Sequence, residues 1–275
     1  MNAADTKREH ERRERYRSAE LLARTAGNNV ASWHRRSFSV EYKADASPVT
    51  DADRDTEKLM RSILADWYPE DGIYGEEFGV QEGRSGFTWY LDPIDGTKSF
   101  VAGVPLFTVL VGVADIEAER GRGSSTNGSP VIGVIHNPIT GETVSALVGN
   151  GALFNGRPTI MRPAPRLKDA LALICDPVDT VARRPAYAEA LFASAGMMRT
   201  WADAYAYLLL ATGRADVALD PIMSPWDIAP MGPIITEAGG SFEALDGGEE
   251  WLGETCIAAR PELLEELRAA VDPSK

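Results

Sequence analysis

One stretch, WYLDPIDGTKSF at residues 89–100, decides how the rest of this chain is organised. The preceding and overlapping run at residues 87–91 predicts a buried strand, because it is aromatic and apolar and carries no charge. Pro93 and Gly96 then turn the chain, and residues 97–100 can begin a short helix. The stretch therefore predicts a strand, a tight turn and a helix start in immediate succession.

Four residues of this turn carry groups that suit a metal and a phosphate. Asp92 and Asp95 lie at one strand end, and paired carboxylates are the hard oxygen ligands that Mg²⁺ prefers. The backbone amides of Gly96 and Thr97 lie at the helix start, where N–H groups can bind a phosphate oxygen. The alternative interpretation is an ordinary turn, because Asp, Pro and Gly are the residues that turns use. Spacing alone leaves both interpretations open.

The composition is typical of a globular, acidic protein. The 275 residues are 44% hydrophobic and 25% charged, which suits one large domain or two of ordinary size. A formal net charge of -13 would repel a nucleic-acid backbone, so no nucleic-acid partner is expected. The sequence has no apolar run of about 18 residues, and its charged N-terminus lacks the apolar core of a signal peptide. We therefore expect a cytoplasmic protein without membrane contact.

Two helices are predicted before the central stretch. Residues 5–34 suit a long helix, because apolar side chains recur there at helical spacing. Its Arg and Glu residues most simply form a solvated face with local ion pairs, and contact with a second subunit is the alternative. Residues 38–42 suit a strand, and a second helix begins near Asp53, a candidate cap, and ends near residue 67.

Further strands are predicted after the central stretch. The β-branched runs at residues 106–113, 131–136 and 143–148 indicate neighbouring sheet strands, with a flexible glycine-rich loop at residues 121–128. A G-x-G at residues 149–151 resembles part of a nucleotide-binding loop. Because no helix follows it, hairpin turns explain these glycines better.

A proline-rich segment at residues 158–165 is the best candidate for a domain boundary. It predicts an N-terminal α+β half at residues 1–160 and a C-terminal α/β half at residues 161–275. Strand-like and helix-like segments alternate in the second half. The predicted strands there are 171–175, 197–201, 215–219 and 257–259, and the predicted helices are 185–195, 202–212, 228–238 and 261–271.

Three acidic motifs occur in a fixed order along the chain. They are Gly75-Glu76-Glu77, the run at residues 92–97, and Trp226-Asp227 with the Glu-Ala-Gly-Gly run at residues 237–240. This combination resembles the inositol monophosphatase family, and the likeness extends to residues 47–53 and through most of the chain. It implies an α/β (α+β) fold, a layered α/β/α/β/α sandwich of the inositol monophosphatase and fructose-1,6-bisphosphatase type, usually dimeric.

The resemblance also implies a metal centre with two or three Mg²⁺ ions per subunit. Glu77 matches a family position without a ligand role. The residues that match the family's ligands are Glu76, Asp92, Asp95, Asp227 and, through its carbonyl oxygen, Ile94.

Other site residues are implied in the same way. Thr97 matches the hydroxyl that orients the attacking water, and Asp53 matches the residue that holds Thr97. With Glu76, these two are the expected catalytic residues. Lys43 corresponds to a basic residue near the site and, with Gly96 and Thr97, is expected to contact the substrate.

The expected reaction is the direct hydrolysis of a phosphate monoester. The dianionic phosphate repels an attacking water, so metals are needed to neutralise its oxygens, activate the water and stabilise the leaving alkoxide. His10, His34 and His136 all fall outside the acidic motifs, and no Ser-His-Asp or Cys-His arrangement stands out. Cys175 and Cys256 lie in apolar surroundings and are expected to be reduced core thiols. In-line attack by a metal-activated water, without a phosphoenzyme, follows as the hypothesis.

The substrate is suggested by two further segments. Residues 98–100 are similar to both the histidinol-phosphatase and the nucleotide-phosphatase branches of the family. The run WADAYAY at residues 201–207 resembles a run of histidinol-phosphatase relatives, except that Trp201 stands where these often have Gly. Histidinol phosphate carries an ammonium and an imidazole, so acidic residues at the pocket rim would favour it. Asp203 and Asp220 are the candidates, and a helix N-cap is the alternative role for Asp203.

Two alternatives to histidinol phosphatase of histidine biosynthesis remain open. Within the same chemistry, the enzyme is an inositol-1-monophosphatase or a broad sugar or nucleotide monophosphatase. In a different class, the chain is a non-catalytic, metal-binding regulatory protein that has the fold alone.

Overall fold

The structure is a computed structural model of the chain that describes residues 3–34, 36, 39–42, 48–119, 128–201, 203–245 and 254–272. The helices of these ranges are α1 (Ala3–His34), α2 (Asp51–Trp67), α3 (Thr97–Val101), α4 (Pro177–Arg183), α5 (Pro185–Ser194), α6 (Ala204–Ala211), α7 (Pro225–Glu237) and α8 (Pro261–Val271). The strands are β1 (Val40–Tyr42), β2 (Pro48–Thr50), β3 (Gly72–Gly75), β4 (Gly79–Gln81), β5 (Phe87–Asp95), β6 (Thr108–Asp115), β7 (Ser129–Asn137), β8 (Glu142–Leu147), β9 (Ala152–Phe154), β10 (Arg157–Thr159), β11 (Leu171–Ile174), β12 (Met197–Arg199), β13 (Val217–Asp220), β14 (Ser241–Ala244) and β15 (Cys256–Ala259).

The eight-stranded sheet has the order β10-β9-β8-β7-β6-β5-β3-β4. Its neighbouring strands are antiparallel except for the parallel pair β3 and β5. Strand β5 continues four residues beyond its predicted end, and its pairing with β6 shifts register between Asp92 and Asp95. Side chains three residues apart would point to opposite faces of a regular strand. The irregularity is what allows both carboxylates to face the same cleft.

Helices α1 and α2 cover one face of this sheet, as the apolar periodicity predicted. Leu22 of α1 and Met60 of α2 are fully buried in one cluster with Trp89 of β5. Helix α2 begins with a capping box, in which Thr50 is the N-cap and Asp53 is the third helical residue. The cap is therefore Thr50, and the side chain of Asp53 accepts a hydrogen bond from the Thr50 amide at 2.7 Å.

The basic face of α1 is not wholly solvated. Arg8 and Arg12 both pair with the fully buried carboxylate of Asp115 at the end of β6. Arg15 forms a two-pronged contact with the buried Asp71, at 2.8 and 2.7 Å. The prediction of a solvated face is wrong for these three arginines, because they hold α1 against the sheet.

The five-stranded sheet has the order β12-β11-β13-β15-β14. Strand β11 is parallel to β12 and β13, whereas β15 is antiparallel to β13 and β14. Ala218 and Ala258 contribute to the core shared with α6 and α7, while Leu219 and Ile257 contribute to the core shared with α5 and α8. This alternation is the period of two expected of strands that are buried on both faces.

The elements form five layers. Helices α1 and α2, the eight-stranded sheet, helices α6 and α7, the five-stranded sheet, and helices α5 and α8 follow one another through the molecule. This order confirms the layered α/β/α/β/α architecture. The predicted division into halves near residue 160 stays a prediction.

Helix α7 lies close to the eight-stranded sheet at two glycines. A Cβ built on Gly133 would come within 1.9 Å of the Pro230 carbonyl oxygen, and one on Gly112 would come within 2.9 Å of the Pro230 nitrogen. Because Pro230 and Pro233 lack an N–H, they interrupt the helical hydrogen bonds there, yet the helix continues through both. This close packing brings Asp227, in the first turn of α7, over the end of β5.

Most predicted elements of the second half are confirmed, with two omissions. Helix α4 was not predicted, although Asp176 caps it by accepting the amides of Val178 and Asp179. Strand β14 was also missed. The hairpins around residues 149–156 are confirmed, and residues 121–127 of the predicted flexible loop lie outside the described residues. Within the described ranges, no helix has both the length and the apolar character required to cross a membrane.

Candidate active site

A cleft of about 440 Å³ opens where strands β5 and β13 end and helices α3, α6 and α7 begin. It lies between the two sheets, so its walls come from both predicted halves of the chain. None of the described residues that line it is a lysine or an arginine. Its acidic lining residues are Glu76, Asp92, Asp95, Asp203, Asp220 and Asp227.

Three of these carboxylates form a compact group. Asp92, Asp95 and Asp227 can each place one carboxylate oxygen within 4.8 Å of the other two. Backbone amides hold all three in place. The Ile94 amide donates to Asp92 at 2.9 Å, the Ala204 amide donates to Asp95 at 2.6 Å, and the Ser224 amide donates to Asp227 at 2.8 Å.

Glu76 faces the same cleft from the turn that follows β3. Its amide donates to the Leu91 carbonyl at 3.1 Å, which continues the parallel pairing of β3 with β5. Burial raises the pKa of Asp92, and the charges of Glu76, Asp95 and Asp227 raise it further. The pKa of Asp227 is also raised, mainly by burial. Hard oxygen donors crowded with like charges fit a divalent cation, which would relieve their repulsion.

Thr97 connects the acidic group to α2. Its hydroxyl donates to the Ile94 carbonyl oxygen at 3.0 Å and lies 3.5 Å from Oδ1 of Asp53. The other oxygen of Asp53 accepts from the amide and hydroxyl of Thr50, so Asp53 both completes the helix cap and reaches Thr97. Burial raises the pKa of Asp53 to about 6 despite these hydrogen bonds.

Gly96 and Asp203 lie against each other in the cleft. Gly96 has a φ of 81°, a backbone conformation that favours glycine, and a Cβ at this position would lie 2.8 Å from Oδ2 of Asp203. Asp203 itself has a φ of 56°, which is unusual for a residue with a side chain. Although it precedes α6, its side chain makes no capping hydrogen bond. It faces the cleft instead.

Cys175 corrects one prediction. The thiol was expected in the core, but it lines the cleft and lies 3.0 Å from Oδ1 of Asp203 as a hydrogen-bond donor. Burial raises the pKa of Cys175, and the nearby Asp220 and Asp203 raise it further, so the thiol keeps its proton. Cys256 is buried as predicted. Nothing in the local sequence indicates that residue 175 meets residue 203, since the contact depends on how β11 and α6 pack.

Asp220 ends β13 beside this pair and is 7% exposed. Its carboxylate accepts the Ile222 amide at 3.1 Å. Burial raises the pKa of Asp220 to about 7, and Asp203 contributes to the rise. Asp203 and Asp220 therefore form a second acidic group in the cleft, near Asp95, whose pKa both of their charges raise.

Other residues of the family-like motifs differ in whether they reach the cleft. Tyr207 is buried in the core and Tyr205 donates to Glu142 at 2.7 Å, so neither lines the cleft. Lys98 is exposed, with its ammonium 3.9 Å from Asp176. Trp226 lines the cleft and packs edge-on against the ring of Tyr74. Lys43 lies outside the described residues.

Sequence comparison finds a family match across nearly the whole chain. The model of the inositol monophosphatase family matches residues 11–274. A histidinol-phosphatase of Chlorobaculum parvum is 37% identical over 91% of this chain and 93% of its own. A second histidinol-phosphatase, from Streptomyces coelicolor, is 35% identical over 76% of this chain and 78% of its own.

Structural comparison agrees with the sequence match. An inositol monophosphatase from Zymomonas mobilis superposes with a TM-score of 0.80 at 29% identity. The superposition covers 94% of this chain and 98% of the other. The shared fold therefore extends through both sheets.

Proposed function

Because the chain belongs to the inositol monophosphatase family and is a phosphatase, we propose that it is a Mg²⁺-dependent histidinol-phosphate phosphatase of histidine biosynthesis. Members of this family are metal-dependent and act on small phosphate esters. The observation that carries the substrate is the second acidic group, Asp203 and Asp220, which lines the same cleft beside the carboxylates that we propose as metal ligands. Two relatives that are 37% and 35% identical over their aligned residues are both named histidinol-phosphatase, which supports the same substrate.

The ligands that we propose for the metal are four carboxylates, which come from the turn after β3, from β5 and from α7. Glu76, Asp92, Asp95 and Asp227 would hold two or three Mg²⁺ ions, with the carbonyl oxygen of Ile94 as a further ligand. The burial and like charges of this group support that role, since a dication is the simplest way to compensate them. When bound, Mg²⁺ would neutralise the phosphate oxygens and lower the pKa of the attacking water.

Thr97 and Asp53 are the residues that we propose to orient the water. With its proton directed at Ile94 or Asp53, the Thr97 hydroxyl can accept a hydrogen bond from a water and aim a lone pair of that water at phosphorus. The water oxygen then bonds to phosphorus as the ester P–O bond breaks and the alcohol departs. Gly96 and Thr97 would hold phosphate oxygens through their amides, which lie at the start of α3. Lys43 stays a prediction.

The proposed role of Asp203 and Asp220 is to bind the cationic end of histidinol phosphate. An ammonium or imidazolium next to two buried carboxylates gains charge-assisted hydrogen bonds that a neutral polyol cannot make. Among described residues, no basic side chain lines this cleft. Burial raises the pKa of Asp203, and the charge of the exposed Lys98, outside the lining, offsets part of that rise. A neutral substrate would offer these two carboxylates no charge-assisted hydrogen bond.

The second candidate function is inositol monophosphate hydrolysis. It is favoured by the structural neighbour from Zymomonas mobilis, whose metal-site chemistry would serve either ester. The Asp203 and Asp220 pair argues against it, because neutral hydroxyls do not require two acidic partners.

The test is phosphate release from a panel of monoesters in the presence of Mg²⁺. We expect kcat/KM for histidinol phosphate to exceed that for myo-inositol 1-phosphate by more than about tenfold, or about 1.4 kcal/mol of transition-state binding. The opposite preference would refute the substrate assignment but not the phosphatase chemistry. Asp95→Asn should bring release to near the background rate with an unchanged circular dichroism spectrum. Wild-type turnover by this variant would refute the metal-site assignment, and a silent wild type across the panel would favour a regulatory protein.

Assembly and location complete the proposal. We propose a cytoplasmic homodimer, as the family resemblance implies, without a nucleic-acid or membrane partner. Light scattering coupled to size-exclusion chromatography measures the assembly directly, and a mass of one subunit, 29.8 kDa, would exclude the dimer.

A further inference from the structure

Glu57 of α2, a buried carboxylate outside the cleft, accepts hydrogen bonds from the turn that carries Glu76. Glu57 is 0% exposed and lies four residues after Asp53, so both side chains project from the same face of the helix. Asp53 reaches Thr97 at one end of that face. Glu57 reaches the segment that follows β3, at residues 76–79.

The contact consists of several hydrogen bonds to the backbone of this turn. The amide of Glu77 donates to Oε2 of Glu57 at 2.7 Å, and the amide of Phe78 donates to Oε1 at 3.2 Å. Arg61 donates to Oε1 from Nε at 2.7 Å and to the Gly79 carbonyl from Nη2 at 2.5 Å. One carboxylate and one guanidinium thus bind three peptide groups of the turn that joins β3 to β4.

Gly75 is shaped for this contact. A Cβ at position 75 would lie 2.1 Å from Oε1 and 2.5 Å from Cδ of Glu57, closer than any side chain can approach. The absence of a side chain at Gly75 therefore lets the carboxylate lie against the backbone immediately before Glu76. The position of the Glu57 carboxylate therefore requires glycine at residue 75, which immediately precedes Glu76, the proposed metal ligand.

We propose that Glu57 is a positioning residue for the metal centre, acting through the turn that orients Glu76. This inference rests on the proposed function, because it takes Glu76 to be a metal ligand. Glu76 follows β3 directly and its amide donates to Leu91 of β5, while Glu57 accepts the amides of the next two residues. The backbone on both sides of Glu76 is therefore held, which fixes the direction of its side chain. Residues that orient ligands in this way typically change metal affinity by about 10–100-fold when they are replaced.

Glu57→Gln is the first variant for the test. It keeps the size of the side chain, but its amide group must face one of three donors, so at least one of these hydrogen bonds is lost. Arg61→Lys is the second variant. It keeps a positive charge beside Glu57, but a lysine cannot donate to Glu57 and to the Gly79 carbonyl at once as Arg61 does. It serves as the test if Glu57→Gln fails to fold.

Asp71→Asn is the matched control. Asp71 is also a buried carboxylate beside β3, is gripped by Arg15, and accepts a hydrogen bond from Trp89, but it lies at the end of the strand away from Glu76. Its replacement should lower the free energy of unfolding without reaching the metal centre. It therefore separates a loss of stability from a loss of ligand orientation.

The measurement is calorimetric titration of Mg²⁺ into the metal-free, full-length proteins. We expect Glu57→Gln to raise the Mg²⁺ Kd by about 10–100-fold and Arg61→Lys by a smaller factor, with Asp71→Asn within about twofold of the wild type. An unchanged Kd in both Glu57→Gln and Arg61→Lys, or an equal rise in Asp71→Asn, would overturn the inference. A wild type that binds no Mg²⁺ would instead overturn the proposed function, so the two failures are distinguishable.

Discussion

Neutralising one carboxylate of the acidic group should make the metal-free protein more stable while it removes the response to metal. Asp92→Asn is the most suitable change, because Asp92 is buried and accepts the Ile94 amide through Oδ1. An asparagine can keep that hydrogen bond through its carbonyl oxygen. The substitution therefore removes a charge and leaves the local packing nearly unchanged.

The size of the effect follows from the separation of the charges. Two unit charges 4.8 Å apart repel by about 3.5 kcal/mol at an effective dielectric constant of about 20. Protonation limits this cost, since burial and the charges of Glu76, Asp95 and Asp227 raise the pKa of Asp92. We expect a gain of about 1–3 kcal/mol in the free energy of unfolding at pH 8, or an increase of about 2–10 °C in Tm.

The sign of the pH dependence provides an internal check. A carboxyl whose folded pKa is raised binds more protons in the folded state than in the unfolded state. The metal-free wild type therefore loses stability as the pH rises through the raised pKa. The advantage of Asp92→Asn should be greatest near pH 8 and should disappear below the ordinary carboxyl pKa of about 4.

The assay is urea unfolding followed by tryptophan fluorescence, first with a chelator and then with saturating Mg²⁺. Mg²⁺ should stabilise the wild type in proportion to its occupancy and stabilise Asp92→Asn much less. The reasoning is refuted if Asp92→Asn is less stable than the wild type in chelator at pH 8. It is also refuted if the gain is the same at pH 5 and pH 8.

Three further predictions concern other parts of the molecule. Burial, with a contribution from Arg24, lowers the pKa of His136 to about 4, well below its unfolded value of about 6.5. The protein should therefore lose about 3 kcal/mol of stability as the pH falls from about 6.5 to about 4, because the unfolded state takes up the proton first. In urea unfolding, His136→Gln should not show this loss. Cys175→Ala should raise the KM for histidinol phosphate about fivefold, because Asp203 loses a hydrogen bond worth about 1 kcal/mol. Cys175→Ser should restore the wild-type KM. Equal KM values for the wild type and both variants in steady-state assays would show that Cys175 does not orient Asp203. Arg15→Met should lower the free energy of unfolding by about 3–5 kcal/mol, because it leaves Asp71 charged and buried. A loss below about 1 kcal/mol in urea unfolding would show that the Arg15–Asp71 ion pair does not stabilise the fold.

The long elements of the fold were predictable because each has a strong repeating pattern. The apolar stripe of α1 and the β-branched runs of β6 and β7 determine their own secondary structure, and their predicted spans agree with the structure to within a few residues. Short elements have no such pattern. The seven residues of α4 and the four of β14 were missed because too few side chains repeat, although the Asp-Pro pair at residue 176 is a recognisable helix start.

The candidate site was predictable only in part, for a different physical reason. The acidic motifs could be identified through the family resemblance, since the spacing of Asp92 and Asp95 alone also fits an ordinary turn. The structure brings Glu76, Asp92, Asp95 and Asp227 to one cleft. Cys175 could not be identified, since its partner Asp203 is 28 residues away and no local pattern relates them. The spacing of Asp53 and Glu57 on α2 puts both carboxylates on one helix face, but it does not indicate that Glu57 meets the turn after β3.

The position of α7 explains why the two groups of strands must pack together to make the site. Asp227 reaches Asp92 and Asp95 only because the helix behind it lies directly on Gly112 and Gly133, where any side chain would push Pro230 away. The glycines are in the middle of strands, where they weaken the sheet and gain nothing for its pairing. Without side chains, these two glycines allow the backbone of α7 to pack directly against the sheet. The three-carboxylate group therefore depends on backbone contacts well behind it, and the proposed metal site would tolerate little outward movement of α7.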